Sequence, residues 1–121
     1  MNGLTWIAVL AVGAIGALAR FFIDSIISTK FGRDFPLGTL VINISGAFAL
    51  GLVTGLALTG NGLIIVGTAT LGSYTTFSTW VLETHRLRED GEYVRAFANS
   101  AISLAFGIGA VALGRTIGAH L

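Results

Sequence analysis

An all-α membrane domain of four spanning helices, the third of them broken, is the architecture this chain predicts, and three observations predict it. Its 121 residues are 54% hydrophobic and 11% charged, with a mean hydropathy of +0.85, too apolar for a soluble domain of this size. Apolar runs at residues 4–23, 37–58, 63–82 and 96–114 each approximate the roughly 20 residues that cross a bilayer. Inside the third run, residues 72–80 read Gly-Ser-Tyr-Thr-Thr-Phe-Ser-Thr-Trp. Such residues weaken a helix and offer its backbone groups other partners.

The first run is longer than the apolar core of a signal peptide and has no basic segment before it, so it reads as a retained helix. The second carries Thr39, Asn43 and Gly46 on one helical face. A buried amide needs partners for two donors and an acceptor, so Asn43 faces protein or an aqueous cavity. The third breaks within residues 72–80, and irregular backbone at membrane depth survives only where protein buries it or where it lines a pathway. The fourth bears Asn99 and Ser103 one turn apart. Small residues recur every fourth position at Gly13 and Ala17, at Gly51 and Gly55, and at Ala110, Gly114 and Gly118, the pattern that lets helices approach closely in lipid. Loops at 25–36, 59–62 and 83–95 leave no room for a soluble domain, so residues 1–121 form one four-helix transmembrane unit. The run from Glu83 to Glu92 reads as a solvated turn of paired charges.

Polar faces on three helices describe a narrow polar track. No Asp or Glu lies at mid-depth, which argues against a cation or proton pathway and against a small four-helix multidrug-type transporter. With no cysteine, and with His85 and His120 outside the runs, an intramembrane enzyme lacks the base that would activate a nucleophile and the ligands of a metal site. A structural scaffold leaves the break unexplained. Phe77 and Trp80 share a face just past the break; aromatic ring edges are electropositive and hold a small anion when donors stand beside them, here Ser78 and Thr79. Arg20, near the end of the first run, either pairs with Asp24 at the interface or draws anions into a vestibule.

Gly-Ala-Leu-Ala-Arg at 16–20, Gly-Thr-Leu-Val-Ile-Asn-Ile-Ser-Gly at 38–46 and the 72–80 run together resemble the Fluc (CrcB) family of fluoride channels. The resemblance extends over all four runs in order. It implies passive export of fluoride across the plasma membrane, lowering its cytoplasmic concentration, by an antiparallel dimer with two pores and one trapped structural sodium ion. It implies fluoride, the lipid bilayer and a second such subunit as partners, and no nucleic acid. Carried over by position, it places sodium on the backbone carbonyls of Gly72 and Thr75. Asn43 and Phe77 become pore residues beside Ser78, Thr79, Trp80 and Ser103. Trp80 departs from the family's usual phenylalanine and adds an indole donor.

Orientation departs from a balanced chain. The face carrying the loops after the first and third runs has Arg20, Lys30, Arg33, Arg86, Arg88 and Arg95, against Arg115 alone on the other face. The positive-inside rule then puts both termini outside. An antiparallel dimer built from so biased a chain favours an oppositely biased homologous partner; the competing reading is a second copy of the chain itself, with Asp24, Asp34, Glu83, Glu89, Asp90 and Glu92 on the same face offsetting the bias.

Overall fold

The computed structural model describes residues 2–57 and 60–121. The predicted end of the second run at Leu58, and Thr59 of the turn after it, lie outside the described residues.

Helix α1 spans Gly3–Phe31. Asn2 caps it, its Oδ1 accepting from the Thr5 N–H and hydroxyl, both at 2.9 Å, which satisfies a donor the first turn leaves open. It runs a full two turns past the predicted end of the first span because no breaker intervenes until Gly32, whose φ of 80° suits glycine and whose N–H bonds to Ser28 O. At 29 residues it is roughly 44 Å long, more than the hydrocarbon core, so its charged end stands clear of the lipid. Pro36 precedes α2, Leu37–Gly55.

The third span is in two pieces. We call residues 60–74 α3, made of an α-helical turn at Gly60–Leu63, a π-helical stretch at Ile64–Leu71 and a last turn at Gly72–Tyr74. Thr75 and Thr76 are extended, at φ/ψ of −79°/160° and −147°/121°. Helix α4, Phe77–Glu89, then resumes with Thr76 as its cap. Thus the break falls inside the predicted window and is two residues wide. The π-helical stretch is a feature the hydrophobic pattern does not announce; within it the Thr70 hydroxyl donates to Ile65 O, five residues back, at 2.8 Å. Gly91, at φ 76°, turns the chain into α5, Tyr93–Ala119. The segment from Glu83 is therefore helical to Glu89, and only Asp90–Glu92 form the turn.

Two helix pairs hold the chain together. Helices α2 and α5 interlock through glycines from both sides: Gly51 and Gly55 lie against the backbone of Val111 and Arg115, and Gly114 and Gly118 against that of Phe48 and Leu52. Helix α1 packs on α3, where a side chain at Gly16 would overlap Thr70 O and one at Gly13 would meet Ser73 Oγ at 3.3 Å. Gly16 thus joins Gly13 on the close face of α1.

The apolar core is thin, with Ile42, Val53, Ala69, Leu87 and Ala96 buried, while Leu10, Leu18, Phe22 and many others of α1 and α5 are exposed. That inversion is what a bilayer permits, since lipid rather than protein covers such side chains. Among the described residues, α1, α2 and α5 are each long and apolar enough to cross a membrane unbroken.

Candidate functional site at the helix break

Breaking a helix strands backbone groups, and here the partners of each can be traced. The Thr76 N–H, which in a continuous helix bonds to Gly72 O, donates instead to Asn43 Oδ1 at 2.8 Å. Asn43 Nδ2 donates back to Thr76 O at 2.9 Å. The Thr79 N–H, which helical geometry assigns to Thr75 O, goes to Thr76 Oγ1 at 3.3 Å. The carbonyls of Gly72 and Thr75 have thus both lost their helical donors. Arg20 Nη1 reaches Thr75 O at 3.4 Å, a long contact that occupies one of that oxygen's two lone pairs.

The face of α2 predicted to be polar is the face that receives this backbone. Thr39 donates to Glu83 Oε1 of α4 at 2.5 Å, Asn43 clamps Thr76, and Gly46 admits the Thr75 methyl, which any side chain there would overlap. Three positions at i, i+4 and i+7 therefore seat one helix on both halves of another. Glu83 is half-buried in this contact and does not belong to a solvated turn. Ser45 and Tyr74, whose hydroxyls lie 2.9 Å apart, add a contact that neither residue's sequence position signals.

Beside the break lies a groove of about 700 Å³. Asn43, Gly72, Thr75, Phe77 and Trp80 line it, and no charged side chain does. Phe77 is 73% exposed, its ring 5.4 Å from the Trp80 ring at 58°. Other predicted site residues stand apart from the groove. Ser78 and Thr79 are exposed and bond with the Thr76 hydroxyl, at 3.4 and 3.1 Å. Ser103 Oγ is buried on α5 with no partner. Arg20 approaches from α1 and leaves Asp24 to Arg33, 3.7 Å away, so the pairing of Arg20 with Asp24 that the sequence allowed does not form.

Asn99 is the buried polar residue whose surroundings the sequence hid. It is 1% exposed, donates through Nδ2 to Thr84 Oγ1 at 2.8 Å, and offers its backbone oxygen to the Trp80 indole at 3.4 Å. Its Oδ1 has no partner. Its one-turn spacing from Ser103 is legible in the sequence; that it meets α4 through Trp80 and Thr84 requires the fold. Among the described residues no group of three or more His, Cys, Asp or Glu is arranged to hold a metal.

Comparison with known proteins gives one consistent result. The family model "CrcB-like protein, Camphor Resistance (CrcB)" matches residues 7–115. A Mycobacterium bovis protein named fluoride-specific ion channel FluC 2 is 46% identical over 112 residues, covering 93% of this chain and 89% of the relative. Fluoride-specific ion channel FluC 1 of Symbiobacterium thermophilum is 38% identical, with 95% and 98% covered. Fluoride-specific ion channel FluC of Aeromonas salmonicida is 39% identical, with 91% and 92% covered. This chain belongs to the CrcB family.

Proposed function

We propose that this CrcB-family chain is a fluoride-specific ion channel of the plasma membrane that lets fluoride leave the cytoplasm down its gradient and so limits its toxicity. The observation that carries the reading is the uncharged groove at the break, where the Asn43 amide, hydroxyls and the Phe77 ring converge on backbone of a split helix. Fluoride is small and strongly hydrated, so a pathway for it must replace water with N–H, O–H and ring-edge donors. A groove without a titratable carboxylate has nothing with which to couple that passage to protons. In this reading Asn43, Phe77, Ser78, Thr79, Trp80 and Ser103 form the pore, and Arg20 supplies positive potential at its mouth.

The test is ion efflux from liposomes holding the purified chain. Fluoride is expected to leave without an imposed proton or sodium gradient, and chloride to stay. Chloride released as readily as fluoride, or fluoride released only under such a gradient, would contradict the proposal.

The protomer alone is not the working unit in this reading. Phe77 stands exposed on an open groove, and an antiparallel second subunit closes it. The same two-fold arrangement accommodates a structural, untransported sodium ion. The carbonyls of Gly72 and Thr75 are freed of helical donors, sodium prefers oxygen ligands, and a two-fold axis doubles two oxygens to four. Bound there, the ion would supply a fixed positive charge that ties the two breaks together. Gly72 has ordinary helical φ and no atom within 4 Å of an added Cβ, so whatever its small size avoids lies beyond the protomer.

In the cell the second subunit is, on charge grounds, an oppositely biased homologue, while the chain overexpressed by itself also pairs with inverted copies, and that form is the one the liposome test measures. All but one of the seven Lys and Arg residues fall on one face, and acidic residues weigh little in the rule that orients a chain. Single cysteines in place of Gly62 and Asp90, on opposite faces of the membrane, test this in intact cells: the Gly62 position is expected to label from outside and the Asp90 position from within. Equal labelling of both from either side would establish a dual-topology homodimer in the cell instead.

A further inference from the structure

We propose that Trp80 is a movable partition between the groove and a second, cationic cavity that serves as the anion's antechamber, and that the indole N–H latches the partition shut on the Asn99 carbonyl. The inference rests on the fluoride-channel reading and adds to it a gate and an entry site. A cavity of about 240 Å³ lies between α4 and α5, lined by Thr84, His85, Arg88 and Ser100 among others. Trp80 alone lines both this cavity and the groove. The antechamber is built to draw an anion. Glu89 is taken by His85 Nε2 at 2.9 Å, and Arg88 donates to His85 Nδ1 at 3.2 Å. Arg88 therefore has no carboxylate against its guanidinium among the described residues, and its charge acts on the cavity.

The partition is hinged at its side chain, not its backbone. Thr84 Oγ1 donates to Trp80 O at 2.8 Å and accepts from Asn99 Nδ2 at the same distance. Because the Thr84 hydrogen is spent on Trp80 O, Thr84 can only accept from Asn99, which fixes the Asn99 amide with Oδ1 turned away from it. By contrast the indole latch, at 3.4 Å, is longer than an N–H···O bond prefers. A weak latch on an anchored backbone is the arrangement that lets a ring swing.

What the closed partition leaves behind supports this. Asn99 Oδ1 and Ser103 Oγ, one turn apart on α5, are buried and bonded to nothing, a cost native structures seldom leave standing. A partly hydrated fluoride answers both deficits, the anion accepting from the Ser103 hydroxyl and its water donating to Asn99 Oδ1. Ser103, which belongs to the predicted pore, lines neither the groove nor the antechamber; in this proposal the path to it opens when Trp80 moves.

The chain contains no cysteine, so the test uses Ser100→Cys in liposomes, each preparation measured before and after a negatively charged methanethiosulfonate reagent, with the cysteine-free chain treated alongside. Fluoride flux through Ser100→Cys is expected to fall at least about fivefold on modification, the reagent's charge repelling the anion. Flux through the cysteine-free chain stays unchanged. Separately, Trp80→Phe keeps a ring but deletes the latch, and flux is expected to rise about two- to fivefold, the population change that loss of one weak hydrogen bond produces. Unaltered flux in either arm overturns the gate. A cysteine-free chain that passes no fluoride overturns the channel reading and the gate with it, whereas one that conducts but is indifferent to both changes overturns the gate alone.

Discussion

Replacing Phe77 by alanine abolishes most fluoride flux while leaving the protomer as stable as before, and replacing Asn43 by alanine damages both; this contrast is the expected result of measuring efflux and thermal unfolding on the same two variants. Phe77 is 73% exposed and meets one ring, that of Trp80, so its removal opens no cavity in a core. In the proposed reading its contribution is made to the ion. Asn43 is different because each end of its amide is committed to the peptide around Thr76. Alanine there orphans a buried N–H, at a cost of about 1–3 kcal/mol, and leaves the break without its clamp. Flux is expected to fall about tenfold or more, which corresponds to about 1.4 kcal/mol of lost positioning. Asn43→Asp separates the two roles. A carboxylate still accepts from the Thr76 N–H, so the break is partly held, but it gives up the donor and sets a negative charge on the wall of an anion groove. Stability nearer the parent's with flux still lost is expected. If Phe77→Ala and Asn43→Ala both conduct like the parent, the pore lies on other faces.

How far the sequence reaches is clearest at the same residues. The polar face of α2 was legible because Thr39, Asn43 and Gly46 repeat with helical spacing inside an apolar run, where polar groups are expensive. The break was legible because hydroxyl residues and glycine crowd one short stretch. That the break strips donors from the Gly72 and Thr75 carbonyls was not legible, since it depends on where the Asn43 amide and the Thr76 hydroxyl end up. Nor was the π-helical stretch at Ile64–Leu71, whose apolar residues read the same at 3.6 or 4.4 residues per turn over so few positions. Charge patterning misled at Glu83: its neighbours are solvated, but α4 continues through it and brings its carboxylate to Thr39. Asn99 and Ser103 were visible as a polar pair, whereas their unpaired atoms and the wall formed by Trp80 belong to tertiary structure alone.

Gly114→Leu is expected to cost this protein its fold, whereas Gly107→Ala and Gly109→Ala on the same helix are expected to cost nothing. Lipid offers no hydrophobic drive to bring helices together, so α2 and α5 associate only as closely as their backbones can approach. At Gly114 they meet with Phe48 O directly in the path of any Cβ, and at Gly51 the Val111 O occupies the equivalent place from the other side. Neither obstacle is the flexible end of a side chain that can turn away. A leucine at 114 must therefore push the helices apart as rigid bodies, and the separation propagates to Gly55 and Gly118, whose own backbone contacts are lost with it. Overpacking ordinarily costs about 1–3 kcal/mol when neighbours can adjust; here they cannot, and the loss exceeds that range. At Gly107 and Gly109 nothing lies within 4 Å of an added Cβ, so alanine meets open space and gains up to about 1 kcal/mol of helix propensity at each site. Size-exclusion profiles and unfolding temperatures in detergent are the measurements. Gly114→Leu recovered monodisperse with the parent's unfolding temperature would mean that α2 and α5 do not pack through their glycines, and the seating of Asn43 on the break would lose the support that the α2–α5 pair gives it.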